Sequence, residues 1–326
     1  MEIVAEFGQS HRGELDTAVE QACAAANAGA KAAKWQIFDA DRLAAPGAKR
    51  YWDAGLGGSA SQRETFRQNG MLTDTDWQSL ASECHDIGIE FLATPFDLEA
   101  VELLASMNVA RYKIASADIT YLPLLDAIRD KGRRVIASVG AADDKEIEIM
   151  LKRLDPRPVT LMACTLAYPC PAINAGLGRI EYLHRTFGVP VGYSDHTLTV
   201  ETALAAAAAG AVMLERHVTL GGTATPDDVM ALPIDELVKY RELGELGETM
   251  RKPTPSPVAE ITARTQARRG IYASRRIPRG KVLDAGDIIG LRPAQGAIGV
   301  EWWDSILGAE TDRSHRPGDP IRVRST

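Results

Sequence analysis

Residues 189–217 read VPVGYSDHTLTVETALAAAAAGAVMLERH. The run 189–193 is short and apolar and carries valine and tyrosine, the composition of a buried strand. Residues 200–209 are alanine-rich and read as a helix. Residues 212–216 return to a strand-like run. Two short apolar strands joined by a helix form a βαβ unit, whose strands run parallel. Polar clusters fall where these strands end: Tyr193-Ser194-Asp195-His196-Thr197 on the first, Glu215 and His217 on the second.

Outward from this unit the same cadence fills the first 250 residues. Strand candidates are 3–7, 32–38, 89–93, 111–114, 134–137 and 159–163. Helical stretches are 15–26, 76–87, 98–107, 122–129, 144–154, 178–187 and 234–246, with a long polar insertion at 39–73. Eight strand–helix units in about 250 residues are the size of a (β/α)8 TIM barrel. The rival is a doubly wound sheet. Its Gly-rich first turn is not matched, because that turn reads Gly8-Gln9-Ser10-His11-Arg12-Gly13 and not GxGxxG. Composition then changes. Residues 251–266 are rich in Pro, Ser and Thr and read as a linker. Residues 267–326 hold short β-type runs broken by Gly and Pro, a small β-rich domain that is marginal alone.

The chain has 326 residues, a net charge of −7, 45% hydrophobic and 25% charged residues, which is ordinary for a globular protein. The longest apolar run, 203–209, is far short of a membrane span of about 20 residues. No signal peptide is visible, and Cys23, Cys84, Cys164 and Cys170 lack metal-ribbon spacing, so the expectation is a cytoplasmic protein with reduced thiols. Residues 267–326 carry eleven basic and seven acidic residues, a surplus of four, beside an acidic body. Without an aromatic-interleaved basic stripe this argues against nucleic acid.

Catalysis in a barrel sits at the C-terminal ends of its strands. Those ends carry Glu6; Lys34 and Gln36; Thr94 to Asp97; Lys113, Ser116 and Asp118; Ser138; Cys164, Thr165 and Tyr168; Ser194 and His196; Glu215 and His217. Two lysines with several hydroxyls suit a phosphate and a carboxylate. Two histidines on neighbouring strand ends can share a divalent metal completed by water or substrate oxygens. Each residue also has a plain structural reading. A strand lysine is usually solvated or ion-paired, a single His is more often hydrogen-bonded structure, and the cysteines read as packing residues. His11 is ambiguous. Tyr51, Trp52, Trp302 and Trp303 either line a site or cover core edges.

These segments resemble the sialic acid synthase family, which condenses phosphoenolpyruvate (PEP) with a sugar to give nine-carbon sugar acids. The likeness is carried by AEFGQSHRG (5–13), GAKAAKWQIF (29–38), FLATPFD (91–97), YKIASADITYLPLL (112–125), CTLAYPCP (164–171), VPVGYSDHT (189–197) and LERHVTL (214–220). RRGIYASRRIPRGKVL (268–283) and GLRPAQGAIG (290–299) resemble an SAF, or antifreeze-like, domain. The resemblance implies a barrel at 1–250, a linker at 251–266 and an SAF domain at 267–326, in a domain-swapped homodimer. It implies PEP contacts from Lys34, Thr94, Lys113, Ser116, Ser138 and Ser194. It implies Mn2+ or Mg2+ held by His196 and His217, which polarises the acceptor aldehyde while PEP attacks and loses phosphate by C–O cleavage. Gln36, Asp118, Tyr168, Asp227 and Arg292 fall to the acceptor, Arg292 reaching from the small domain. Glu6, Glu215 and His217 fall to catalysis, with Glu215 the candidate for the water proton and Glu6 its rival.

Four positions depart from the family pattern. Ser10 stands for the usual Asn, Asp118 for Glu, Leu166 for a polar residue, and Thr225 for the Gly of Gly-Pro-Asp. The acceptor is therefore open between N-acetylmannosamine, a related amino sugar and a less usual aldehyde. A Schiff-base aldolase using Lys34 or Lys113, and a non-catalytic sugar- or anion-binding protein, are the alternatives.

Overall fold

Along a strand every second side chain faces the same way, so in a closed barrel alternate residues meet at the axis. The computed structural model describes all residues except 53–60, 69, 222–224, 252, 254–256 and 325–326. Its first eight strands are β1 (Glu2–Gly8), β2 (Ala32–Ile37), β3 (Glu90–Pro95), β4 (Arg111–Ile114), β5 (Arg134–Ser138), β6 (Val159–Ala163), β7 (Val191–Asp195) and β8 (Met213–Thr219). All pair in parallel in the order β3-β2-β1-β8-β7-β6-β5-β4, and β3 and β4 lie side by side to complete the ring. The doubly wound alternative is thereby excluded, and the (β/α)8 reading holds. Among the described residues no ladder joins β3 to β4.

The helices between strands are α1 (Leu15–Asn27), α2 (Ala40–Leu43), α3 (Gln62–Gln68), α4 (Asp74–Ile87), α5 (Leu98–Ser106), α6 (Leu122–Asp130), α7 (Asp144–Leu154), α8 (Gly178–Phe187) and α9 (Glu201–Ala208), with α10 (Leu237–Met250) after β8. A two-residue strand, β9 (Leu232–Pro233), adds to β8. Outward-facing apolar residues of the strands and the inner stripes of the helices form the main core. Capping boxes at Thr73–Asp76 and Asp143–Glu146 fix the starts of α4 and α7.

Inside the ring a separate apolar plug is built from Val4, Ala32, Leu92, Ile136, Met162 and Met213. Gly192 makes room for it, because a Cβ there would meet Met162 Sδ at 2.5 Å. Two residues further along these strands stand Glu6, Lys34, Thr94, Ser138, Cys164 and Glu215. Period-two alternation therefore lays a polar tier directly above an apolar floor.

The insertion at 39–73 is not featureless. Asp39 caps α2 through Asp41 N at 2.7 Å, and Arg63 of α3 donates to Ala44 O. In the stretch read as a linker, residues 257–266 form α11 (Pro257–Gln266). Pro is well placed at a helix start, where its missing N–H costs nothing, and helix-forming residues follow it.

The chain divides into Met1–Arg251 and Lys252–Thr326. The second unit has β10 (Gly270–Ala273) paired antiparallel with β11 (Ile288–Leu291) and β12 (Ile298–Gly299), and a short α12 (Trp303–Ile306). Its core gathers Ile271, Ala273, Ile277, Leu283, Ile288, Ile306 and Ile321. Asp287 is fully buried there, takes Arg275 Nε at 2.8 Å and pairs with Lys281, and these partners hold its pKa well below the usual range against the effect of burial.

Candidate active site

The polar tier opens into a cavity of about 300 Å3 at the C-terminal end of the barrel. It brings together the fourteen barrel residues expected from the sequence: Glu6, Lys34, Gln36, Thr94, Lys113, Ser116, Asp118, Ser138, Tyr168, Ser194, His196, Glu215, His217 and Asp227. Strand register explains their meeting, with Glu6 level with Lys34 on one side and His217 on the other, and Ser194 level with Glu215. Arg292 belongs to the second unit and is exposed there, before a cis peptide bond to Pro293.

At the floor, two lysines and two carboxylates alternate. Lys34 Nζ lies 2.6 Å from Glu6 Oε2, 3.5 Å from Glu215 Oε2 and 3.4 Å from Thr94 Oγ1. Lys113 Nζ donates to Ser138 Oγ at 2.6 Å and to Ile114 O at 3.2 Å, and stands 3.9 Å from Glu215 Oε1. Ser194 Oγ donates to Glu215 Oε1 at 2.9 Å. Burial works against every charge here. At Glu215 the two ammonium groups overcome it and hold the pKa at about 2. At Glu6 burial wins over Lys34, with Glu215 adding to it, and the pKa is raised. Burial would lower both lysines; the carboxylates of Glu215 and Glu6 reverse this at Lys34, whereas Lys113 stays lowered.

Beside this floor the rings of His196 and His217 are 5.7 Å apart. His196 Nδ1 is occupied by Thr165 O at 2.8 Å, which leaves its Nε2 as the remaining ring nitrogen. His217 Nδ1 is buried without a hydrogen-bond partner among the described residues, 3.9 Å from Asp227 Oδ1. Burial lowers both imidazole pKa values and so favours the neutral form, the one in which histidine binds a metal. Among the described residues no group of three His, Cys, Asp or Glu surrounds a common point. The two rings could hold a cation only if its other ligands came from water or substrate.

The mouth carries both aromatic and acidic side chains. Ring contacts form a chain: Phe66 with Trp52 (5.6 Å), Trp52 with Tyr51 (4.7 Å), Tyr51 with Tyr168 (6.3 Å), and Tyr168 with His196 (4.5 Å). Phe66 and Gln62 come from α3, so the insertion furnishes part of the wall. Sequence reasoning missed them; the aromatics at 51, 52 and 66 were the only signal. Asp118 is pushed up to about 6 by burial, and Asp227 to about 7 by burial and Glu6. Gly140 keeps the wall open, because a Cβ would meet Cys164 Sγ at 2.7 Å and Leu166 Cγ at 2.9 Å. Its N–H donates to Ser116 Oγ at 2.9 Å. Cys164 lines the cavity, but burial raises its thiol pKa, so it is no ready nucleophile.

Other candidates resolve differently. His11 is fully buried, accepts from Gly13 N at 3.0 Å and meets Trp77 edge-on, and burial lowers its pKa to about 4. It is a structural histidine. Trp302 is exposed, and Trp303 packs on the small core.

The NeuB family matches residues 22–246, and the SAF domain matches residues 268–323. The N,N'-diacetyllegionaminic acid synthase of Campylobacter jejuni is 32% identical, covering 98% of this chain and 98% of that protein. The N-acetylneuraminate-9-phosphate synthase of Mus musculus is 31% identical over 86% of this chain and 80% of its own length. The solved N-acetylneuraminic acid synthetase of Leptospira borgpetersenii, in complex with citrate, superposes with a TM-score of 0.69 at 30% identity, over 80% of this chain and 90% of that one. With the family matched across most of the barrel and the small domain matched separately, the chain belongs to the NeuB family of sialic acid synthase-like proteins and carries a C-terminal SAF domain.

Proposed function

We propose that this protein condenses PEP with a neutral N-acylated amino sugar, giving a sialic-acid-type 2-keto-3-deoxy acid and phosphate. The observation that carries this is the convergence of Lys34, Lys113, His196 and His217 on one cavity. The two ammonium groups, with Thr94, Ser116, Ser138 and Ser194, suit the phosphate and carboxylate of PEP. A Mn2+ or Mg2+ ion held by His196 and His217 would supply Lewis-acid polarisation of the acceptor carbonyl. Glu6 and Glu215 then divide the remaining work. Glu215, held ionised by both lysines, is a fixed counter-charge. Glu6, whose pKa is raised, is the better group to exchange a proton with the water that adds to carbon 2 of PEP. This reverses the order of the two candidates reached from sequence.

The acceptor falls to the mouth. Among the described residues the lining there holds Asp118, Asp227, Gln36 and Tyr168 but no Lys or Arg. That suits the hydroxyl and amide donors of an amino sugar. Leu166, Tyr51 and Trp52 suit apolar substituents such as acyl methyls. Arg292 is proposed to reach the acceptor from a partner's SAF domain in a swapped homodimer.

The test is phosphate release and product mass from PEP, Mn2+ and a panel of N-acyl hexosamines and simpler aldehydes. Release with a neutral amino sugar is expected; no release with any aldehyde by folded, metal-loaded protein overturns the reading. A Schiff-base route is favoured by one observation, the lowered pKa of Lys113. Borohydride trapping of an adduct on Lys113, with activity insensitive to EDTA, would replace the proposal.

A further inference from the structure

Ser10 and Thr225 lie 215 residues apart in the chain and meet in space. Ser10 Oγ stands 3.3 Å from Thr225 Oγ1 and donates to Asp228 Oδ1 at 3.0 Å. The other oxygen, Asp228 Oδ2, accepts from Thr225 N at 2.6 Å and from Thr225 Oγ1 at 2.9 Å. None of these three residues lines the cavity, although their neighbours Gln9, Pro226 and Asp227 do. Ser10 and Thr225 therefore do not alter the acceptor wall directly, unlike Asp118 and Leu166.

What they flank is the seat of Asp227. Gly8 has φ +56°, and a Cβ there would lie 2.1 Å from Asp227 Oδ2. Only glycine leaves this room. Gln9 N donates to the same oxygen at 3.0 Å. The carboxylate is thus wedged against the first loop, and the Ser10–Asp228–Thr225 bonds tie the two loops together beside it.

We propose that Ser10, Thr225 and Asp228 act as one latch that positions Asp227 toward the acceptor and so sets acceptor affinity. This rests on the acceptor role proposed above for Asp227. A carboxylate already fixed by its surroundings loses less freedom when a ligand arrives, so loosening it weakens acceptor binding and leaves PEP binding alone. Ser10 and Asp228 are positioning residues, not catalytic ones.

The test is steady-state kinetics of the full chain for Ser10→Ala, Asp228→Asn, the double variant, Ser10→Thr and, as reference, Asp227→Asn. Unfolding temperature is followed in parallel. Ser10→Ala and Asp228→Asn should each raise the acceptor KM roughly tenfold, as the loss of one charge-assisted hydrogen bond would. The PEP KM should stay within about twofold, because only the acceptor end is loosened. The double variant should be no worse than Asp228→Asn alone, because the Ser10 hydroxyl acts on Asp227 through the Asp228 side chain. Ser10→Thr should restore most of the affinity. If Asp228→Asn does not fold, Ser10→Ala with Thr225→Ala runs the same cycle through the 3.3 Å contact. Additive effects, or an unchanged acceptor KM while Asp227→Asn raises it, overturn the latch and leave the site reading intact. An Asp227→Asn variant with unchanged acceptor KM removes the acceptor role of Asp227, and the latch with it.

Discussion

Two residues in the cavity show how environment divides like groups. Glu6 and Glu215 are both buried and both face Lys34, yet their pKa values move in opposite directions, because Glu215 has a second ammonium group nearby. Asp118 has no such partner. Its Oδ2 is buried with no hydrogen-bond partner among the described residues, and its pKa is about 6 against an ordinary 3.8. Well below pH 3.8 the group is protonated in both folded and unfolded chains and costs nothing. As pH rises toward 6 the unfolded chain ionises first, so stability falls through this window. Asp118→Asn should therefore stabilise the fold at pH 8 by about 1–2 kcal/mol, allowing for its partial exposure, and by much less at pH 4. Urea unfolding at the two pH values measures this. His217→Ala should abolish turnover and weaken Mn2+ binding, read by calorimetry on the unloaded protein; unchanged metal affinity would remove the histidine pair as the metal site. At this scale the sequence was informative where chemistry repeats at strand ends. It was uninformative for Gln62 and Phe66, whose role depends on where an irregular segment folds back.

Among the elements, β8 carries the largest share of the argument. Glu215 and His217 face the cavity, while Arg216 between them faces the helix layer. There Arg216 pairs with Asp195 at 3.0 Å, both essentially inaccessible, and Asp195 also accepts from Thr202 Oγ1 and Tyr240 OH. Asp195 precedes His196, so one ion pair joins the two histidine-bearing strands and anchors them to α9 and α10. Arg216→Met should destabilise by about 3–5 kcal/mol, because it strands a buried carboxylate. Replacing Asp195 as well should recover part of that loss in the same unfolding experiment. The βα cadence was legible because each strand is a short apolar run and each helix an amphipathic or alanine-rich one. The insertion was not, because α2 and α3 are short and polar and owe their form to contacts such as Arg63 with Ala44 O. Trp52, in that insertion, should matter to the acceptor alone. Trp52→Ala is expected to raise acceptor KM severalfold at constant PEP KM, since it removes apolar wall.

At the scale of the molecule, the change of composition near residue 251 coincides with the division between two units. The linker reading missed α11 because Pro and Ser at its start outweighed the helix formers that follow. Deleting 267–326 should leave a folded barrel with lowered turnover, compared by circular dichroism and phosphate release. A fully active fragment would show that Arg292 has no part in the site. The small unit has a modest core of its own, with Asp287 buried among cations at its centre.

The ring itself has one weak stave. Between β3 and β4 the backbones run alongside without a ladder among the described residues, and this join separates Lys34 and Thr94 on one side from Lys113 and Ser138 on the other. Breathing at that join would part the two anion-holding halves while every other strand stayed zipped to its neighbours. On slow warming, turnover should therefore fade before circular dichroism registers any melting, and deuterium should enter β3 and β4 ahead of β1 and β8.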